Sequence, residues 1–160
     1  MCLEFYIIIY NINYMINKHE IYLNIALEIA KLSKCKKTQV GCIIVKDGRI
    51  ISTGTNGTPS GYTNCTDNFC NHNHEDFLKE HSEWSLKHEI HAEMNAIIFA
   101  TRNGIKIPQE SILYCTHEPC DNCLKHIAAL GINTVYYKYS YHSNVINNTF
   151  DIKIIKLNNE

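Results

Sequence analysis

His91-Ala92-Glu93 and, further along, Pro119-Cys120-Asp121-Asn122-Cys123 constrain this chain more than any other part of it. One imidazole and two thiolates can hold a zinc ion and leave its fourth position open, the arrangement of a catalytic rather than a structural metal. Two distant stretches must then fold so that their ligands meet at one point. Glu93 lies beside such a metal without binding it, where a carboxylate can move protons between a water and a substrate. A lone Cys-x-x-Cys reads as well as a redox pair or half a structural zinc site, and a lone His-x-Glu as helix surface. The combination, in this order and with the proline, points to catalysis. A non-catalytic zinc module would have no use for Glu93.

At 160 residues the chain fits one domain with a core of its own. Net charge is −1 and the pI about 6.7. No basic run is dense enough to track a phosphate backbone, and the tyrosines are not interleaved with Lys or Arg, so a polymeric nucleic-acid substrate is not expected. Lys34, Lys36 and Lys37 could attract a phosphate but read more readily as a solvated charge run. Eight cysteines stand among nine histidines without a secretion signal, which reads as metal binding in a reducing, cytoplasmic compartment (the host's, if the chain is viral). The apolar run Phe5–Tyr10 is too short to span a bilayer and lacks a basic flank, so no membrane association is expected. Residues 1–14 read either as an upstream extension before an initiator Met15, or as an edge element or tail. Residues 15–160 read as a single domain with a metal-binding insertion at about 62–89.

Helical spacing of Ile21, Ile25, Ile29 and Leu32 predicts an amphipathic helix over 17–34, capped by Asn17 with Glu20 in its first turn. Strands follow at 40–45 and 49–53 around Lys46-Asp47-Gly48, a tight hairpin signal. Residues 54–61 form a loop of turn formers, and 62–88 show little pattern before about Glu80. A helix over 91–102, a strand over 111–116, a helix over 121–130 stopped by Gly131, and strands at 134–139 and 152–157 complete the order. This predicts a three-layer α/β/α fold around one five-stranded mixed sheet. The metal ligands would lie near two helix N-termini, whose positive ends favour thiolate over thiol.

These residues resemble the zinc-dependent cytidine and deoxycytidylate (dCMP) deaminases. The zinc motif alone would also fit deaminases of tRNA adenosine, free cytosine or guanine. The segments Gln39-Val40-Gly41, 46–54, Asn56-Gly57-Thr58-Pro59-Ser60-Gly61, Asn64-Cys65 and 91–97, with Asn95, resemble the dCMP branch. His81-Ser82-Glu83-Trp84 and Phe99-Ala100-Thr101-Arg102-Asn103-Gly104 resemble its phage members. The resemblance implies a cytidine-deaminase-like fold and hydrolysis of dCMP to dUMP and ammonia, supplying dUMP for dTMP synthesis. It implies a catalytic zinc on His91, Cys120 and Cys123, with Glu93 as proton shuttle, and a second, structural zinc on Cys35, Cys65, His81 and Glu89. Asn56, Ala92, Arg102 and Tyr141 are implied at the substrate. Also implied are activation by dCTP and inhibition by dTTP through Gly54, Asn56, Gly57 and Phe99, and a homohexamer. Two departures stand out: 143–151 is short where relatives carry a helix, and His142 follows Tyr141 where some have arginine, a weaker and pH-dependent phosphate ligand.

Overall fold

The computed structural model describes residues 17–140 and 149–158. Its elements in chain order are α1 (Lys18–Ala30), β1 (Gly41–Lys46), β2 (Arg49–Thr55), α2 (Cys65–Asn68), α3 (His74–His88), α4 (Ala92–Arg102), β3 (Ile112–His117), α5 (Asp121–Ala129), β4 (Thr134–Tyr139) and β5 (Lys153–Lys156). The strands form one sheet in the order β2-β1-β3-β4-β5. β1 is antiparallel to both β2 and β3, while β3–β4 and β4–β5 are parallel. The expected three-layer, five-stranded mixed sheet is what forms. The segments 1–14 and 143–148, Met15, Tyr141 and His142 lie outside the described residues.

β1 shows why three layers are needed. Its side chains alternate, with Cys42 and Ile44 in one apolar cluster and Ile43 and Val45 in another, and all four are buried. A strand apolar on both faces must be covered on both. α1 covers one face through Ala26; α4 and α5 cover the other through Ala92, Ala96, Leu124 and Ile127. The hairpin turns on Asp47 (φ 50°) and Gly48 (φ 75°), the left-handed pair that a two-residue turn with the twist of its strands requires. At the end of α5, Gly131 (φ 74°) lets its own N–H reach Ala128 O and the Ile132 N–H reach Ile127 O, closing the helix as expected.

Two expectations are corrected. The fully buried residues of α1 are Leu23, Ala26 and Ala30; Ile25 and Ile29 pack half-buried against the cluster around Ala26 as expected, whereas Ile21 is 46 % and Leu32 71 % exposed. The helix stops at Ala30, so Leu32 falls in the turn beyond it. Gly41 explains the choice of face: a Cβ there would lie 2.2 Å from Ala26 O. The helix presses so closely on β1 that only small residues fit beneath it. The second correction concerns α3, which begins at His74 rather than near Glu80. Asn73 caps it, its Oδ1 accepting from the Asp76 N–H at 2.9 Å. Its only buried residues are Phe77 and His81, one turn apart, too narrow an apolar stripe to register as periodic. Phe77 joins Cys35, Cys65, Phe69 and Trp84 in a small apolar cluster separate from those on the sheet.

Candidate active site

The antiparallel-to-parallel switch at β3 sets two helix starts side by side. His91 is the N-cap of α4 and Cys120 the N-cap of α5, both with extended backbone and neither side chain spent on capping. Cys123 follows in the first turn of α5. Both Sγ atoms lie 3.5 Å from His91 Nδ1. Ligands bound at 2.0–2.3 Å around a tetrahedral ion stand about 3.3–3.8 Å apart, so the donor set fits zinc in number, type and spacing. The neighbouring Cys123 thiol, with His91 close by, holds the Cys120 thiol far below its ordinary 9.0, to about 3, while the same contact and burial drive Cys123 up. The Cys120 contact in turn raises His91.

Glu93, at 4 % exposure, is buried in the first turn of α4, and burial raises its carboxyl above the usual 4.5. It is therefore suited to hold a proton as well as release one. A cleft of about 370 Å³ opens onto it, lined by His91, Ala92, Asn56, Lys37, Ser82, His117 and further residues of both metal-type clusters. That is the size of a small-molecule site. His117 is one wall residue that the sequence did not single out. Thr116 Oγ1 accepts from the Gly41 N–H (3.1 Å) and lies 3.0 Å from His117 Nδ1. Burial lowers this imidazole's pKa and favours the neutral ring.

The remaining expected site residues divide. Asn56 lines the cleft, yet its side chain is already occupied: Oδ1 accepts from the Val40 N–H (2.8 Å) and Ser33 Oγ (2.7 Å), and Nδ2 donates to Thr38 O (2.9 Å). Among the described residues, its other amide hydrogen has no acceptor. Ala92 is fully buried at the cleft wall. Arg102 ends the 11-residue α4, about 16 Å from His91 by helix rise, and does not line the cleft. Phe99 is 50 % exposed and absent from the wall. Gly54 has a packing reason of its own, since a Cβ there would meet Ala92 O and Ala96 N at 2.3 Å. Gly57 forms a two-way backbone bridge with Ile90.

A second group meets beside the first. Ligand atoms of Cys35, Cys65, His81 and Glu89 all lie within 4.8 Å of one another. Cys35 Sγ is 3.3 Å from His81 Nε2, which is 3.9 Å from Glu89 Oε2; Ser85 Oγ donates to that same oxygen at 2.8 Å. Glu89 Oε1 is buried without a partner. Burial raises Cys35, lifts Cys65 to about 11 and lowers His81. Such a closed set of two thiols, an imidazole and a carboxylate fits a structural zinc, whose charge would offset the cost of burying thiolate and carboxylate.

The model of the cytidine and deoxycytidylate deaminase zinc-binding region matches residues 16–139. The deoxycytidylate deaminase of Enterobacteria phage T4 is 40 % identical over 151 residues, covering 76 % of this chain and 78 % of that one. That of Mycobacterium phage D29 is 35 % identical and covers 74 % of this chain and 91 % of that one. The crystal structure of dCMP deaminase from the cyanophage S-TIM5 in complex with dCMP and dUMP superimposes with a TM-score of 0.68 at 33 % identity, over 86 % of this chain and 95 % of that one. With the zinc-type donor set at the start of α4 and α5, these likenesses establish that the chain belongs to the cytidine and deoxycytidylate deaminase family.

Proposed function

We propose that this chain hydrolyses dCMP to dUMP and ammonia, and so feeds dTMP synthesis. The observation that carries the reaction type is the buried, non-ligating Glu93 two residues from an imidazole that faces two thiols at a cleft. The choice of dCMP is supported by the phage relatives and by the nucleotides bound in the cyanophage enzyme. His91, Cys120 and Cys123 hold the zinc. When bound, zinc supplies Lewis acidity that brings the deprotonation of water into the neutral range. Glu93 takes the water proton and passes it to ring N3, which makes C4 electrophilic towards the water oxygen. Glu93 then carries a proton to the departing amino group. The buried Ala92 and the remaining amide hydrogen of Asn56 position the base and sugar. Tyr141 belongs to the substrate set by sequence resemblance.

Cys35, Cys65, His81 and Glu89 hold a second, structural zinc; the unpartnered Glu89 Oε1 supports it. Regulation by dCTP and dTTP through Gly54, Asn56, Gly57 and Phe99 and a homohexameric assembly complete the reading, and rest on the resemblance alone. Free thiols at every described cysteine fit the cytoplasm. No helix among the described residues is long and apolar enough to cross a membrane.

The test is kcat/KM for dCMP, CMP and deoxycytidine, with tRNA and single-stranded DNA as controls. dCMP should lead and the polymers should not react. A site that recognises a phosphate rejects the nucleoside by as much as ~10⁴. Equal efficiency on deoxycytidine would refute the monophosphate reading.

A further inference from the structure

The cleft has to meet a dianionic phosphate, and its wall carries few means to do so. Among the described lining residues Lys37 is the one lysine or arginine. Arg102 lies at the far end of α4, and residues 141–148, which follow the β4 end, contain neither Lys nor Arg. The structure also sorts the basic run 34–37 by task. Lys34 is exposed and lines no part of the cleft. Lys36 is tied down, with Nζ donating to Phe69 O at 2.8 Å and standing 5.3 Å over the Phe77 ring. Lys37 Nζ donates to Ser82 Oγ at 3.2 Å, and both residues line the cleft. The hydroxyl of Ser82 accepts from the ammonium and keeps its own proton for a second acceptor.

Resting on the dCMP reading, we infer that Lys37 and Ser82 form the seat of the 5′-phosphate and set the preference for monophosphate over nucleoside. The ammonium is a mobile point charge at the rim, and a phosphate oxygen there receives a charge-assisted bond from Nζ and a second from Ser82 Oγ. Ser85 is unavailable to the phosphate, since its hydroxyl proton goes to Glu89.

Lys37→Gln and Lys37→Arg test this, each compared with the unaltered enzyme on dCMP and on deoxycytidine. The ratio of the two kcat/KM values should fall about 10- to 100-fold in Lys37→Gln and be largely restored in Lys37→Arg. The decline of kcat/KM for dCMP with added salt should also flatten in Lys37→Gln. Should Lys37→Gln turn over neither substrate, calorimetric titration with dUMP and deoxyuridine reads the same ratio as binding. An unchanged ratio, or equal losses on both compounds, overturns the assignment and leaves the dCMP reading intact. No preference in the unaltered enzyme overturns the dCMP reading itself and this assignment with it.

Discussion

Gly54→Ala should damage both stability and catalysis, through one contact. A Cβ at this position in β2 would sit 2.3 Å from Ala92 O and from Ala96 N, where real Cβ contacts stay beyond 3.0 Å. Both obstacles are helix backbone, so no side chain can rotate away and α4 must retreat. Overpacking of this kind costs ~1–3 kcal/mol. The ~0.4–1 kcal/mol that alanine returns by restricting the unfolded chain is smaller, which leaves a net loss of about 1–2 kcal/mol, or roughly 2–8 °C in Tm for a domain of this size. α4 also begins at His91 and carries Glu93 in its first turn. Misplacing reacting groups by about 1 Å can cost on the order of 10²-fold, so kcat should fall roughly 10- to 100-fold. Gly41→Ala is the control. It imposes the same insult on α1, with Ala26 O at 2.2 Å and Ala30 N at 2.6 Å, but α1 carries no residue of the catalytic cluster. Tm by scanning calorimetry, metal content, and kcat well below either Tm should show matched stability losses and a far larger activity loss in Gly54→Ala. A wild-type Tm for Gly54→Ala would refute the close approach. Matched activities in the two variants would refute the claim that β2 fixes the start of α4.

Glu93→Gln should keep metal and fold but lose at least 10²–10⁴-fold in turnover, since the shape survives and the proton shuttle does not; near-wild-type deamination would sink the mechanism. Metal analysis should find two zinc ions per chain. Cys120→Ala should remove one of them together with activity, and Cys65→Ala the other together with much of the stability; one zinc in fully loaded protein would eliminate the second site. Stability should also rise with pH up to neutrality. Burial, and then Lys18, hold His19 below its ordinary 6.5, where it contacts Tyr114 Oη at 2.8 Å and stacks on Tyr136 at 4.2 Å. The unfolded chain therefore takes up that proton first, so the contribution is complete above pH 6.5 and lost as pH falls below it. His19→Gln should flatten Tm between pH 5 and 7, and an unaltered slope would rule His19 out as the source.

What was legible in the sequence tracks how local each signal is. The hairpin at Asp47-Gly48, the stop at Gly131 and the cap at Asn17 depend on a few neighbouring residues, and each forms as expected. The His-x-Glu and Cys-x-x-Cys spacings place ligands at helix starts, and the two starts do meet. The face of α1 is half legible: Ile25 and Ile29 pack on the sheet as their spacing predicts, but the centre of the stripe depends on Gly41, a residue of another element whose missing side chain decides how near the helix can come. α3 was missed up to Glu80 because its anchors are just Phe77 and His81, and imidazole does not count as apolar in any periodicity. The cleft wall was least legible. Lys37, Ser82 and His117 come from a loop, a helix and a strand end, and nothing in their own neighbourhoods marks them as facing one space.

The two clusters are joined by a very short piece of chain. Glu89 is the C-cap of α3 and His91 the N-cap of α4, so Ile90 alone separates a proposed ligand of one ion from a proposed ligand of the other. Ile90 is itself pinned, exchanging backbone hydrogen bonds with Gly57 in both directions. Under the proposed assignments, emptying the closed cluster frees Glu89 and loosens the hinge that aims His91, so the structural ion raises the affinity for the catalytic one. Linkage makes that help mutual and equal in both directions. A chelator should then strip the ion at His91 at a lower concentration from Cys65→Ala, whose closed cluster is empty, than from the unaltered enzyme.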